Sequence, residues 1–66
     1  MAKLTGREQQ ITALLAAGKS QGEAATVLGL SIHTVRGYLK SARAKTGSIT
    51  STELACKFVK ARADSG

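Results

Sequence analysis

The sequence predicts a compact all-α domain of four helices. Three observations carry that prediction. No stretch alternates apolar and polar residues for long enough to suggest a strand, and the alanine-rich segments favour helix. A Ser or Thr is followed three residues later by Glu in three places, at Thr5 and Glu8, Ser20 and Glu23, and Thr50 and Glu53. Gly18, Gly29 and Gly47 stand where three helical patterns stop, in a chain without proline.

These signals place the helices near 6–17, 21–28, 32–46 and 51–63. Each Ser/Thr–Glu pair fits a capping box, in which the hydroxyl accepts from the N–H three residues on and the carboxylate reaches back. Three of the four acids are thereby assigned to helix starts, where they complement the helix dipole, and not to catalysis. In the first helix Ile11, Leu14 and Leu15 share a face, and Leu4 staples onto it from ahead of the cap. Ala24, Ala25 and Leu28 supply the second, with Leu30 plugging the turn. Ser31 caps the third helix, where Val35, Leu39 and Ala42 fall at i, i+4 and i+7. Leu54, Phe58 and Ala61 repeat that spacing in the fourth.

A chain of 66 residues makes one domain, residues 1–66, and buries only about 60% of its unfolded surface. Tyr38 and Phe58 are its aromatic residues, so the core is small and aliphatic, with no room for an active-site cavity. No serine has an evident His/Asp pair and no glycine-rich loop reads as a phosphate cradle, so no enzyme activity is expected. His33 has no ligand partners at metal spacing; it either touches phosphate or faces water, and neither metal nor cofactor is expected. Cys56 is the single cysteine and reads as a small hydrophobe or a redox sensor. No apolar run is long enough to span a membrane and the N-terminus is too polar for a signal peptide, which points to the cytoplasm. The net charge is +6 and the pI about 10.1, with no acid between Ala24 and Thr52. That excess serves either a solvated face or the attraction of a polyanion.

With Gln21 as the first position of a helix-turn-helix, Ala25 falls fifth, Gly29 ninth, Leu30 tenth and Val35 fifteenth. The order small, glycine, aliphatic, aliphatic suits two helices crossing at about 90–120°. In DNA-binding proteins that geometry presents the second helix to the major groove. Arg36, Lys40 and Arg43 form a second stripe on the third helix, one residue beyond its apolar row. Arg36 is placed for guanine O6 and N7. Lys40 is one turn further, for base or phosphate. Arg43 and Lys45 suit phosphate or the helix C-terminus. Gly37 either lets the backbone approach a base pair or is a tolerated defect.

The runs Leu4-Thr5-Gly6-Arg7-Glu8, Ala17-Gly18-Lys19-Ser20, Glu23-Ala24-Ala25, Leu28-Gly29-Leu30-Ser31, Thr34-Val35-Arg36 and Lys45-Thr46-Gly47 together resemble the LuxR/GerE-type DNA-binding domain of bacterial transcription regulators, over residues 4 to 62. The resemblance implies a four-helix domain that binds double-stranded DNA as a homodimer, with RNA polymerase as a further partner and the bacterial nucleoid as its place of work. It implies base reading by Arg36, Gly37 and Lys40. Phosphate contacts are expected at Lys19, Gln21, Ser31, Thr34, Tyr38, Arg43 and Lys45. Ala24 stands where such domains usually have isoleucine, Ala42, Thr46 and Ser48 replace larger aliphatic residues, Ser51 takes the place of a common arginine, and Tyr38 that of a frequent histidine. The smaller side chains predict a thinner core. The upstream sensory domain usual in the family is not part of these residues, which suits a stand-alone regulator or the output domain of a longer one.

At about 100° per residue, the apolar positions of the fourth helix spread too widely for one small domain to cover. Leu54, Phe58 and Ala61 form one sector; Ala55, Cys56, Val59 and Ala63 form another, with Arg62 between. The second sector is a candidate dimer interface or a merely alanine-rich surface. An antiactivator-type interaction module, pairing through this helix with a related regulator and leaving DNA alone, is the alternative function. A basic membrane-surface helix fits less well, because the cations adjoin a packed face and large aromatic anchors are lacking.

Overall fold

The computed structural model describes residues 4–65 and contains four helices, α1 (Gly6–Ala16), α2 (Gln21–Leu28), α3 (Ile32–Thr46) and α4 (Ser51–Ser65). The first ends one residue before the expected stop, because Ala17 serves as its C-cap, and the fourth runs on past residue 63. At α1 the capping box is complete: Thr5 Oγ1 accepts from the Glu8 N–H at 3.3 Å and Glu8 Oε1 accepts from the Thr5 N–H at 2.7 Å. The box of Ser20 and Glu23 on α2 is also complete, at 3.1 and 2.9 Å. At α4, Thr50 Oγ1 accepts from the Glu53 N–H at 3.1 Å, but the Glu53 carboxylate pairs with Lys57 one turn on, at 3.2 Å.

The turn between α2 and α3 depends on Gly29, whose φ of 67° lies in the left-handed region that a side chain makes costly. That conformation lets the Leu30 N–H donate to the Ala25 carbonyl at 2.9 Å and the Gly29 N–H to that of Thr26 at 3.3 Å. Both bonds occupy carbonyls the helix end would otherwise leave open. Gly47, with φ of 70°, closes α3 in the same way, and Ser48 donates to the Arg43 carbonyl at 2.9 Å.

Ile11, Ala25, Val35, Leu39, Ala42 and Leu54 form the core, with Leu4, Leu15, Leu28, Leu30 and Tyr38 packed around it. Both α1 and α3 touch every other helix, while α2 and α4 flank them. The apolar row of α3 is sealed, with Val35 and Ala42 at 0% exposure and Leu39 at 2%. Ala24 is also fully buried, so the small residue there leaves no gap to water.

Two expected core members of α4 sit differently. Ala61 is exposed and Phe58 only half-buried, with the Arg62 guanidinium over its ring at 5.5 Å from the centroid. Residues 59–63 of α4 are all exposed, so this stretch packs little against the other helices. At the junction of α3 and α4, the polar replacements bond to each other. Thr46 Oγ1 lies 2.7 Å from Ser48 Oγ and donates to the Ala42 carbonyl at 3.0 Å. Lys57 Nζ closes the same junction by donating to the Thr46 carbonyl at 3.0 Å.

Candidate nucleic-acid interface

Successive helical residues point about 100° apart, so the row next to a buried row faces outward. On α3 that next row is Arg36 and Lys40, both exposed, beginning one residue after fully buried Val35. Among the described residues neither cation has a protein partner, and Gly37 beside them is exposed too. A Cβ built at Gly37 meets nothing within 4 Å, so packing inside the domain does not require glycine there.

Two shallow clefts flank this edge. The first, of 330 Å³, gathers Gln21, Arg36, Lys40, Arg43 and Ser51. Gln21 Nε2 reaches Ser51 Oγ at 3.5 Å, which joins the start of α2 to the start of α4. Arg43 Nη1 donates to the Ile49 carbonyl at 3.2 Å and thereby holds the α3–α4 loop. Its Nε is shielded from solvent and has no acceptor, a state that costs about 1–3 kcal/mol for a buried donor. The second cleft, of 430 Å³, gathers Thr34, Gly37, Tyr38 and Lys45 with Thr5 and Glu8. Ser31 and Thr34, both exposed, cap α3: Ser31 Oγ accepts from the Thr34 N–H at 3.1 Å and lies 2.9 Å from Thr34 Oγ1. Tyr38 is half-buried against the core, so its ring serves packing as well as the cleft. Lys19, also exposed, lies apart from both clefts, beside α4.

Lys45 departs from the expected arrangement. Its ammonium is not free for phosphate in the unbound domain, because Nζ lies 2.8 Å from Glu8 Oε1. Glu8 is more than a cap: its side chain is only 2% exposed and ties the start of α1 to the last turn of α3. Burial pushes this carboxyl up, but the hydrogen bonds from Lys45, the Thr5 N–H and the Ser41 hydroxyl, with the Lys45 charge, outweigh it and hold the pKa at about 2. The exposed Glu23 carboxyl is also lowered, by the Ser20 N–H and hydroxyl.

Local sequence reading passed over the Glu8–Lys45 pair, because its partners stand 37 residues apart and only the packed register joins them. It also passed over Thr12, which is fully buried and donates to the Glu8 carbonyl at 2.7 Å. The signal was present: Glu8, Thr12 and Leu15 follow i, i+4 and i+7, and a threonine can hide its hydroxyl on its own helix.

A comparison with family models bears on the same surface. The GerE model, described as bacterial regulatory proteins of the luxR family, matches residues 2–58. The chain belongs to the luxR family of bacterial regulatory proteins. This is a family of DNA-binding transcription regulators and not an enzyme family. No curated protein and no solved structure matches the chain significantly. Among the described residues, no helix of this luxR-family domain is long and apolar enough to cross a membrane.

Two substitutions test how the family's domain is built here. Glu8→Gln removes the carboxylate that Lys45 faces and should cost about 1–3 kcal/mol in urea denaturation at neutral pH. The cost falls below the roughly 3–5 kcal/mol of a fully buried broken pair because Lys45 stays 27% exposed. Because folding lowers the Glu8 pKa, its contribution is complete above the ordinary value of 4.5 and fades as pH falls toward about 2. The gap between parent and variant should therefore narrow across that window. Gly37→Ala should raise stability by about 0.5–1 kcal/mol, since its added methyl meets open space. If the backbone at residue 37 approaches a base pair, the same variant binds duplex more weakly; unchanged affinity removes Gly37 from the base-reading set.

Proposed function

We propose that this domain binds double-stranded DNA sequence-specifically, in the bacterial cytoplasm, with α3 in the major groove and α4 as the dimer contact. The observation that carries the reading is the exposed, unpartnered Arg36–Lys40 edge, set one residue beyond the row that fixes α3 in the core. An α3 of 15 residues is about 22 Å long and fits a groove about 12 Å wide when laid along it. In this reading Arg36 takes guanine O6 and N7, Lys40 the next base or phosphate, and Gly37 allows close approach. Gln21, Arg43, Ser31, Thr34 and Tyr38 flank that edge as phosphate contacts, with Lys19 at the periphery. A phosphate oxygen entering the cleft of Gln21 and Arg43 would offer the Arg43 Nε an acceptor after a small side-chain shift. Lys45 joins the phosphate set only by loosening its hold on Glu8.

The dimer reading is supported by the outer face of α4. Val59 is 52% exposed, Cys56, Arg62 and Ala63 are exposed, and Ala55 is half-buried. Two copies related by a two-fold axis would read half-sites about one DNA turn apart.

Mobility-shift titration of duplexes selected from a random pool, repeated across salt, tests the DNA reading. Affinity should fall by about 0.9 log units per neutralised phosphate for each decade of salt. An interaction module that leaves DNA alone would show no duplex affinity even at low salt. Arg36→Ala should cost about 1–3 kcal/mol and relax the preference at one base pair. Uniform weakening across sequences would instead make Arg36 a phosphate contact. Val59→Asp should weaken self-association in sedimentation without changing the unfolding midpoint greatly, because the side chain is half exposed already. A melted fold would mean that this face belongs to the core.

A further inference from the structure

A groove of 520 Å³ runs between the end of α1 and the outer side of α4. Its apolar surface comes from Leu15, Ala16, Ala55 and Val59, and Lys19 and Lys60 stand among the lining residues. Among the described residues Lys60 has no protein partner, Lys19 makes no ion pair although its charge helps to lower the exposed Glu23 carboxyl, and no acid lines the groove. We propose that this groove docks an amphipathic helix of a partner protein, apolar on one side and acidic along its flanks.

The volume lies in the range that takes several apolar groups (about 300–1,000 Å³), and an amphipathic helix fills such a groove with side chains at i, i+3 or i+4, and i+7. The charge decides the occupant. A second copy of this chain carries net +6 and only four acids. Glu8 is buried against Lys45, Glu23 closes the α2 cap and Glu53 pairs with Lys57, so three of the four acids are already engaged within the domain. Pairing with itself thus brings cations toward cations at Lys19 and Lys60. An acidic helix neutralises both while covering the same apolar floor, and complementary charge also speeds its encounter. The α1 part of the floor, Leu15 and Ala16, lies outside the face proposed for the dimer, whereas Ala55, Cys56 and Val59 belong to both. An occupied groove therefore opposes pairing through α4. The docking does not rest on the DNA reading and can fail or succeed apart from it.

The test uses two synthetic helical peptides of equal length, with leucines at i, i+4 and i+7 and the flanks either all glutamate or all lysine. Each is titrated into the isotope-labelled domain and followed by amide shifts. The glutamate peptide should bind saturably and move Leu15, Ala16, Ala55 and Val59, whereas the lysine peptide should not bind. Lys60→Glu, at an exposed position, should weaken the glutamate peptide by about tenfold and admit the lysine peptide. Equal binding of the two peptides, binding of neither, or shifts confined to the Arg36–Lys40 edge would overturn the proposal. So would shifts at Leu15 and Ala16, which lie outside the dimer face, on simple concentration of the domain, because they would give the groove to a second copy.

Discussion

The clamp on α3 is the constraint on which the rest of the domain depends. Val35, Leu39 and Ala42 are driven into the core by burial, and the helix cannot turn about its axis without exposing them. That fixes the outward direction of Arg36, Gly37 and Lys40 to within the play of one side-chain row. The turn at Gly29 holds the start of α3 against Ala25, and the Glu8–Lys45 pair holds its end against α1. With both ends held and one side packed, the cationic edge becomes a preformed surface. A duplex meeting it does not have to order the helix first, which lowers the entropic cost of association.

The placement of acids follows from the same constraint. A small domain with ten cations would repel itself if its few acids were scattered. Here Glu8, Glu23 and Glu53 serve the starts of three helices, and Glu8 and Glu53 also neutralise Lys45 and Lys57. None lies on the exposed edge of α3. The field there stays positive, while Glu8 and Glu53 each offset one cation of the frame behind it. One consequence is a division of labour among the cations: Lys45 and Arg43 hold the frame, while Arg36 and Lys40 remain open to a ligand.

Most of the fold was legible because its signals are local. A Ser or Thr with Glu three residues on, and a glycine at a left-handed stop, report backbone hydrogen bonds that close within a few residues. All four helices and the core rows of α2 and α3 follow from such signals, whereas α1 buries Glu8 and Thr12 beside Ile11 and leaves Leu14 and Leu15 half-buried. The errors arose where contacts are distant in sequence. The burial of Glu8 needed the register of α1 against α3, and the exposure of Ala61 depended on where along α4 the packing stops. The i, i+4, i+7 rule gives a face but not the extent of what packs on it. For the candidate interface, the pattern identified the exposed edge of α3, but the two clefts beside it, and the role of Arg43 in holding the Ile49 loop, came only with three dimensions.

The most direct test of the clamped-helix account is an amide-shift titration of the labelled domain with a selected duplex at moderate salt. The account predicts that Arg36, Gly37 and Lys40 shift most along α3, while the amides of Val35, Leu39 and Ala42 keep their slow hydrogen exchange throughout. Loss of that protection on binding, or an Arg36–Lys40 edge that the duplex leaves unperturbed, would contradict it.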